Sequence, residues 1–278
     1  MSYRIIGDSC TDLPGELKSD PHFKLVPLTL IVDGVSIVDD DTFNQKDFLE
    51  RVKAYPHSPK SACPSPEDYM KHFDCDGDVY VVTLSSHLSG SYNSAELAKK
   101  LYTDEHPDKK IEVFDSRTAS VGQTLIAMKI KELVEAQNPF EAVVEKVFAF
   151  RDELNTKFVL ESLDTLRKNG RLSGIQAILA SALNIKPVMG ATPEGTICKV
   201  DQARGITKAL NLMAKCVEAD AVKPSEKILG IAHCNNRERA EFVKAEVLKR
   251  IPFKDSFIVD TAGVSSLYAN DGGIVVAY

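Results

Sequence analysis

No two of the six cysteines (Cys10, Cys63, Cys75, Cys198, Cys216 and Cys234) stand as C-x-x-C, and none has a histidine at zinc-finger spacing. A dithiol redox centre and a zinc module are therefore not expected, and the cysteines read as scattered thiols in a reducing cytoplasm. A run of about 18 apolar residues is also missing, so no stable membrane insertion is expected. The opening "MSYRIIGDSC" lacks a basic stretch followed by a long apolar one, so no secretory signal is expected either. Positive charge is not in excess: the net charge is −6, which provides no global field for nucleic acid. Three phosphate and nucleophile fingerprints are absent, namely G-x-x-x-x-G-K-[ST], G-x-G-x-x-G and G-x-S-x-G. The acidic run "VDDDTF", with Asp39, Asp40 and Asp41, lacks D-x-D-x-D-G spacing and reads as a solvated turn rather than a metal site.

The chain has 278 residues, 44% apolar and 27% charged, which suits one large or two moderate globular domains. Short apolar runs alternate with helical spacing. Strands are predicted at 3–8, 24–32, 78–85 and 110–116, with helices at 43–55, 91–102 and 121–137. Ser65-Pro66-Glu67-Asp68 has the form of a helix start: a serine cap, proline first, then acids. A strand at 157–162 leads to a small-residue helix within 170–183, then to two strands around Pro193-Glu194-Gly195. A helix at 206–219, a strand at 227–234, a helix at 237–251 and a strand at 256–263 complete the pattern. The fold class is thus α/β with two domains. The N-terminal one, residues 1–153, is a mainly parallel sheet flanked by helices; the second spans 154–278.

The densest feature is "LSSHLSGSYNSA", where five serines fall between Ser85 and Ser94 at the handover from strand to helix. A helix N-terminus exposes unpartnered N–H groups and partial positive charge, and in parallel α/β sheets ligands settle beyond the carboxyl ends of strands. Ser89, Gly90 and Ser91 therefore form a candidate seat for a small anion. One serine would suffice for capping. A carboxylate and a small phosphate both remain open as the anion.

Several segments in series resemble the DegV family of bacterial fatty-acid-binding proteins: "GDSCTDLP", "LVPLTLIVDG", "SACPSPEDY", "LSSHLSGSYNSA", "VFDS", "LDTLRKNGRLS", "LNIKPVMGATPEGTI" and, more loosely, "KVDQARGITKAL". The resemblance implies one long-chain fatty acid held between two domains, with no further cofactor, in a cytoplasmic, non-catalytic lipid-binding carrier. It places the carboxylate at Ser61 and Ser89, and it places basic groups near the head at Arg171 and Arg204. It also implies a partner, a fatty-acid kinase that phosphorylates the bound acid. The residues of "AILASALNIKPVMG", 177–190, are candidates to line the acyl tunnel.

The chain departs from the family pattern near its end. "SSLYANDGG" sets Tyr268 where a histidine belongs, and tyrosine does not readily carry positive charge near neutral pH. Ser61 replaces a threonine and keeps the hydroxyl, while Cys63 replaces a glutamine. Two rival readings use the same residues. One is a serine hydrolase with Ser89 as nucleophile and His87 or His233 as base. The other is a binder of a small phosphate or sugar phosphate, which would need several basic groups around Ser89.

Overall fold

The computed structural model describes residues 2–172 and 184–278. Most of the small-residue helix expected within 170–183 lies outside these residues. Four strands, β1 (Tyr3–Asp8), β2 (Phe23–Val26), β6 (Asp78–Thr83) and β7 (Ile111–Asp115), form an all-parallel sheet in the order β2-β1-β6-β7. Its two faces follow the period of a strand. Ile6, Val79, Val81 and Val113 meet Tyr69, Phe73, Ala95 and Ala98 on one side. Ile5, Tyr80, Val82 and Phe114 meet Ile126, Ile130, Val143 and Val147 on the other.

A second sheet has six strands: β8 (Thr156–Val159), β9 (Ile185–Ala191), β10 (Ile197–Arg204), β11 (Ile228–His233), β12 (Asp255–Asp260) and β13 (Ile274–Ala277), in the order β10-β9-β8-β13-β11-β12. Only β11 and β12 run parallel; the other pairs are antiparallel. The helix Val121–Glu135 lies between the two sheets. Its Ile126 and Ile130 belong to the core of the first, while Val121 and Leu125 pack with Ala232, Val259 and Ala277 of the second. That is why the helix is apolar almost all round.

A small antiparallel sheet, β4-β3-β5, is built from β3 (Thr29–Val32), β4 (Val35–Val38) and β5 (Lys60–Ala62). The single strand predicted over 24–32 is divided at Pro27 between the first sheet and this one. Proline supplies no N–H to a ladder.

The segment after β12 crosses back onto the N-terminal half. Ala262 N–H donates to Asp12 Oδ1 at 2.7 Å. Gly263 and Val264 N–H donate to the two carboxylate oxygens of Asp39 at 2.6 and 2.8 Å. Gln45 Nε2 donates to Thr261 O at 2.9 Å. Asp39 is thus a buried helix cap and not part of a solvated turn; Asp40 and Asp41, which follow it, are exposed. A local reading of three consecutive aspartates cannot anticipate partners more than 200 residues away.

Burial pushes the Asp12 carboxyl up to about 7 and that of Asp8 up to about 6. A carboxyl raised on folding adds stability that is complete below its unfolded value near 4 and is lost as pH rises through its folded value. Asp12→Asn mimics the protonated form, because its amide still accepts from Ala262 N–H and can donate to the rotatable Ser120 hydroxyl. Urea unfolding at about pH 4, near the unfolded carboxyl value, should find the two proteins similar. At pH 7.5 the variant should be the more stable, by about 4 kcal/mol, because at about 1.4 kcal/mol per pH unit the wild type loses stability over the roughly three units between the unfolded and folded values. Parallel pH profiles would show that Asp12 does not titrate in this range.

Candidate functional site

Three parallel strands end at one place. Cys10 follows β1, Leu84 and Leu88 follow β6, and residues 117–120 follow β7; all of these line a cavity between the two large sheets. The facing wall is Thr156 and Phe158 of β8, Gly190 of β9, Ile197 of β10 and Val275 of β13. The helix Gly263–Ala269 closes one side with Val264, Ser265 and Tyr268. The space open to the centres of water-sized spheres is about 120 Å³, and the walls are almost wholly apolar. Thr118 and Thr156 satisfy one another through hydroxyls 2.7 Å apart, so that polar pair asks nothing of a ligand.

The serines divide into distinct roles. Ser85 is buried, and its hydroxyl donates to Gly195 O at 2.8 Å, latching the β9–β10 turn onto the N-terminal half. Gly195 has φ +88°, and a Cβ there would meet Arg117 Cα at 2.7 Å, so the turn requires glycine. Ser86 donates to Asp115, and Ser94 donates to Pro64 O. Ser91 is fully buried and turned toward Asp8, with its Oγ 3.1 Å from Ser89 Oγ. It therefore supports Ser89 from below. Ser89 is half-buried and its Oγ also accepts from Ser91 N–H at 3.2 Å, which leaves its hydroxyl free to donate; Gly90 is exposed and caps the helix without a side chain. The Tyr92 and Asn93 N–H groups find no acceptor among the described residues, as expected of a first helical turn.

Ser61 reaches the same corner from β5. Its Oγ lies 3.0 Å from the Tyr268 hydroxyl. The Arg171 guanidinium carbon sits 5.6 Å from the Tyr268 ring centre, and Arg171 Nε donates to Leu88 O at 3.0 Å. Ser61, Tyr268, Arg171 and Leu88, the neighbour of Ser89, thus form one connected rim. Cys63 closes against Gly90, where an added Cβ would meet Cys63 Sγ at 3.0 Å. Arg171 Nη1 donates to Asn169 O. No carboxylate among the described residues pairs with Arg171, whereas Arg117, also on the cavity, pairs with Asp152 at 3.1 Å.

Arg204 is not brought to this rim. It is exposed at the far end of β10 from Ile197, about 23 Å away at 3.3 Å per residue. Part of the stretch expected to line a tunnel, 177–183, lies outside the described residues; within 184–190 only Gly190 lines the cavity. Sequence reasoning did not single out Cys10, Phe158, Ser265 or Val275 as walls, because each reads as ordinary core. His87 is exposed, and His233 Nδ1 lies 3.3 Å from both Asp260 Oδ1 and Asn236 N. Neither histidine is hydrogen-bonded to Ser89. No group of three metal-ligating side chains occurs among the described residues, and no described helix is long and apolar enough to cross a membrane.

An α/β protein with an apolar cavity between two sheets, and with hydroxyls and, among the described residues, an arginine without an acidic partner at its edge, is built to hold an amphipathic molecule. The chain belongs to the DegV family: the family model described as "Uncharacterised protein, DegV family" matches residues 2–278. It is 35% identical to a DegV domain-containing protein of Streptococcus pneumoniae, covering 100% of this chain and 99% of that one. Among solved structures, a DegV family protein from Ruminococcus gnavus, refined with vaccenic acid, has a TM-score of 0.97 at 52% identity, covering 99% of both chains. The Streptococcus pneumoniae Fatty Acid Kinase (Fak) B3 protein, loaded with linoleic acid, has a TM-score of 0.91 at 34% identity, covering 100% of this chain and 99% of that one.

Proposed function

We propose that this protein holds one long-chain fatty acid between its two domains, residues 1–153 and 154–278, and serves as a non-catalytic cytoplasmic carrier that presents the acid to a fatty-acid kinase. The observation that carries this reading is Arg171, a half-buried cation on an apolar cavity with no acidic partner among the described residues. Leaving such a charge uncompensated is costly, and a ligand carboxylate supplies the counter-charge. Ser61, through Tyr268, and the Ser89-Gly90 helix start, through Leu88, are tied to the same arginine and add neutral donors. The tail drives affinity: about 16 carbons at roughly 0.8 kcal/mol per methylene give on the order of 10 kcal/mol before ordering costs. The fatty acids bound in the related structures support the ligand class.

One basic group beside Ser89 is too few for a phosphate seat, and Ser89 has Ser91 rather than a histidine as its partner. Both facts favour a carboxylate carrier over the phosphate and hydrolase readings. All six cysteines are free, as a reducing compartment requires. Mass spectrometry of an organic extract of natively purified protein should find one long-chain fatty acid per chain; an extract free of fatty acid would overturn the reading. Ser89→Ala removes one hydrogen bond to a charged head, worth roughly 1.5–3 kcal/mol, so affinity should fall about 10- to 150-fold. Titration of delipidated protein with oleate checks this, and unchanged affinity would reduce Ser89 to a helix-start residue.

A further inference from the structure

We propose that Asp39 is a positioning residue for the head-group rim: it sets the helix that carries Tyr268 against Ser61. This rests on the carboxylate reading above. Asp39 and Ser61 belong to one small sheet. Asp39 follows β4 and is tied by its own N–H to Leu28 O at 2.9 Å, while Ser61 lies in β5 in register with Leu30 of β3. The sheet therefore offers the helix two attachment points on opposite sides of β3. At one, Asp39 takes the Gly263 and Val264 N–H groups; at the other, Ser61 meets the Tyr268 hydroxyl.

The spacing fits. Two strand spacings across β3, about 9.6 Å, and a two-residue offset along it, about 6.6 Å, set the two backbone anchors about 12 Å apart; five residues from Gly263 to Tyr268 rise about 7.5 Å along a helix, and the Asp39 and Tyr268 side chains reach over the rest. Gly263 fixes the closeness of the dock, since a Cβ there would meet Asp39 Oδ1 at 2.5 Å and Leu30 Cδ1 at 2.8 Å. Asp39 is 4% exposed and lies far along the chain from Tyr268, so its influence on a ligand must pass through the helix. In Asp39→Asn one of the two carboxylate acceptors becomes an N–H donor facing a backbone N–H, which pushes the helix start away and loosens Tyr268 from the rim.

The test is a double-mutant cycle on delipidated protein titrated with oleate: wild type, Asp39→Asn, Tyr268→Phe and the pair. Each single change should weaken oleate about tenfold, and the pair should be no weaker than Tyr268→Phe alone. Affinity for methyl oleate, which lacks the charged head, should be the same in all four. Multiplicative losses, or equal losses for the ester, would make Asp39 a purely structural residue and overturn the proposal. If wild type fails to bind oleate at all, the fatty-acid reading falls, and this inference with it. Should Asp39→Asn not fold, Gly263→Ala runs the same cycle, because its methyl displaces the same helix while leaving both carboxylate oxygens in place.

Discussion

Replacing Ile197 by tryptophan is expected to abolish fatty-acid binding while the protein stays folded. Ile197 lies on the edge strand β10, faces the cavity and is only partly buried. An edge strand yields to a larger side chain more readily than a central one, and overpacking typically costs about 1–3 kcal/mol. Here the indole has an existing void to enter. The space between the walls is small, about 120 Å³ for the centres of water-sized spheres. An indole in it competes directly with the acyl tail. If about half of a 16-carbon chain is excluded, the loss is about 6 kcal/mol, or on the order of 10⁴-fold in affinity. Oleate titration and a thermal melt on the same preparation decide the matter: binding should vanish while the melting temperature moves by a few degrees. Retained oleate affinity would mean that the tail lies elsewhere.

The elements legible in the sequence were those whose cause is local. The capping box at Ser65 and Asp68 forms as its residue types predict. Asp33-Gly34 turns the chain with both residues at positive φ, and Gly195 does so at the tip of the β9–β10 hairpin. What the sequence did not disclose depends on distant partners. The strand β13 is a short apolar run whose place, inserted antiparallel between β8 and β11, depends on pairing with β8 more than 100 residues earlier. The helix Gly263–Ala269 has almost no polar face, because it is buried between the two halves, so no amphipathic period marks it. The site shows the same division. Ser61, Arg171 and Tyr268 stood in motifs and are linked side by side, and of these Arg171 and Tyr268 line the cavity; Ser89 is next to Leu88, which Arg171 contacts, whereas Arg204 stood in the loosest motif and lies at the other end of its strand. The serine cluster announced a strand-to-helix turn with several tasks, yet only the partners of each hydroxyl separate latch, brace and open donor.

Arg171→Met should cost more than Tyr268→Phe, the loss of one neutral donor at the rim. Methionine keeps an unbranched apolar stem for packing near Tyr268 and Leu88 but removes the charge and its N–H groups. In the fatty-acid complex the carboxylate would then sit at an apolar cavity with hydroxyls and helix N–H groups but no cation. Removing one partner of a desolvated ion pair costs about 3–5 kcal/mol, and the half-exposed position of Arg171 puts this case at the lower end. Oleate affinity should therefore fall about 10²-fold or somewhat more. The sharper readout is discrimination between acid and ester. Wild type should prefer oleate to methyl oleate strongly, because the ester offers Arg171 no charge to neutralise. In Arg171→Met that preference should shrink by about 10²-fold, to what the hydroxyls and helix N–H groups supply. The variant should also lose most of the salt dependence of oleate binding, a property that reports charge pairing and not packing. If Arg171→Met kept the full preference for the acid, the head group would have to be held by the helix start and Ser61 alone, and Arg171 would serve only to tie residues 169–171 to Leu88.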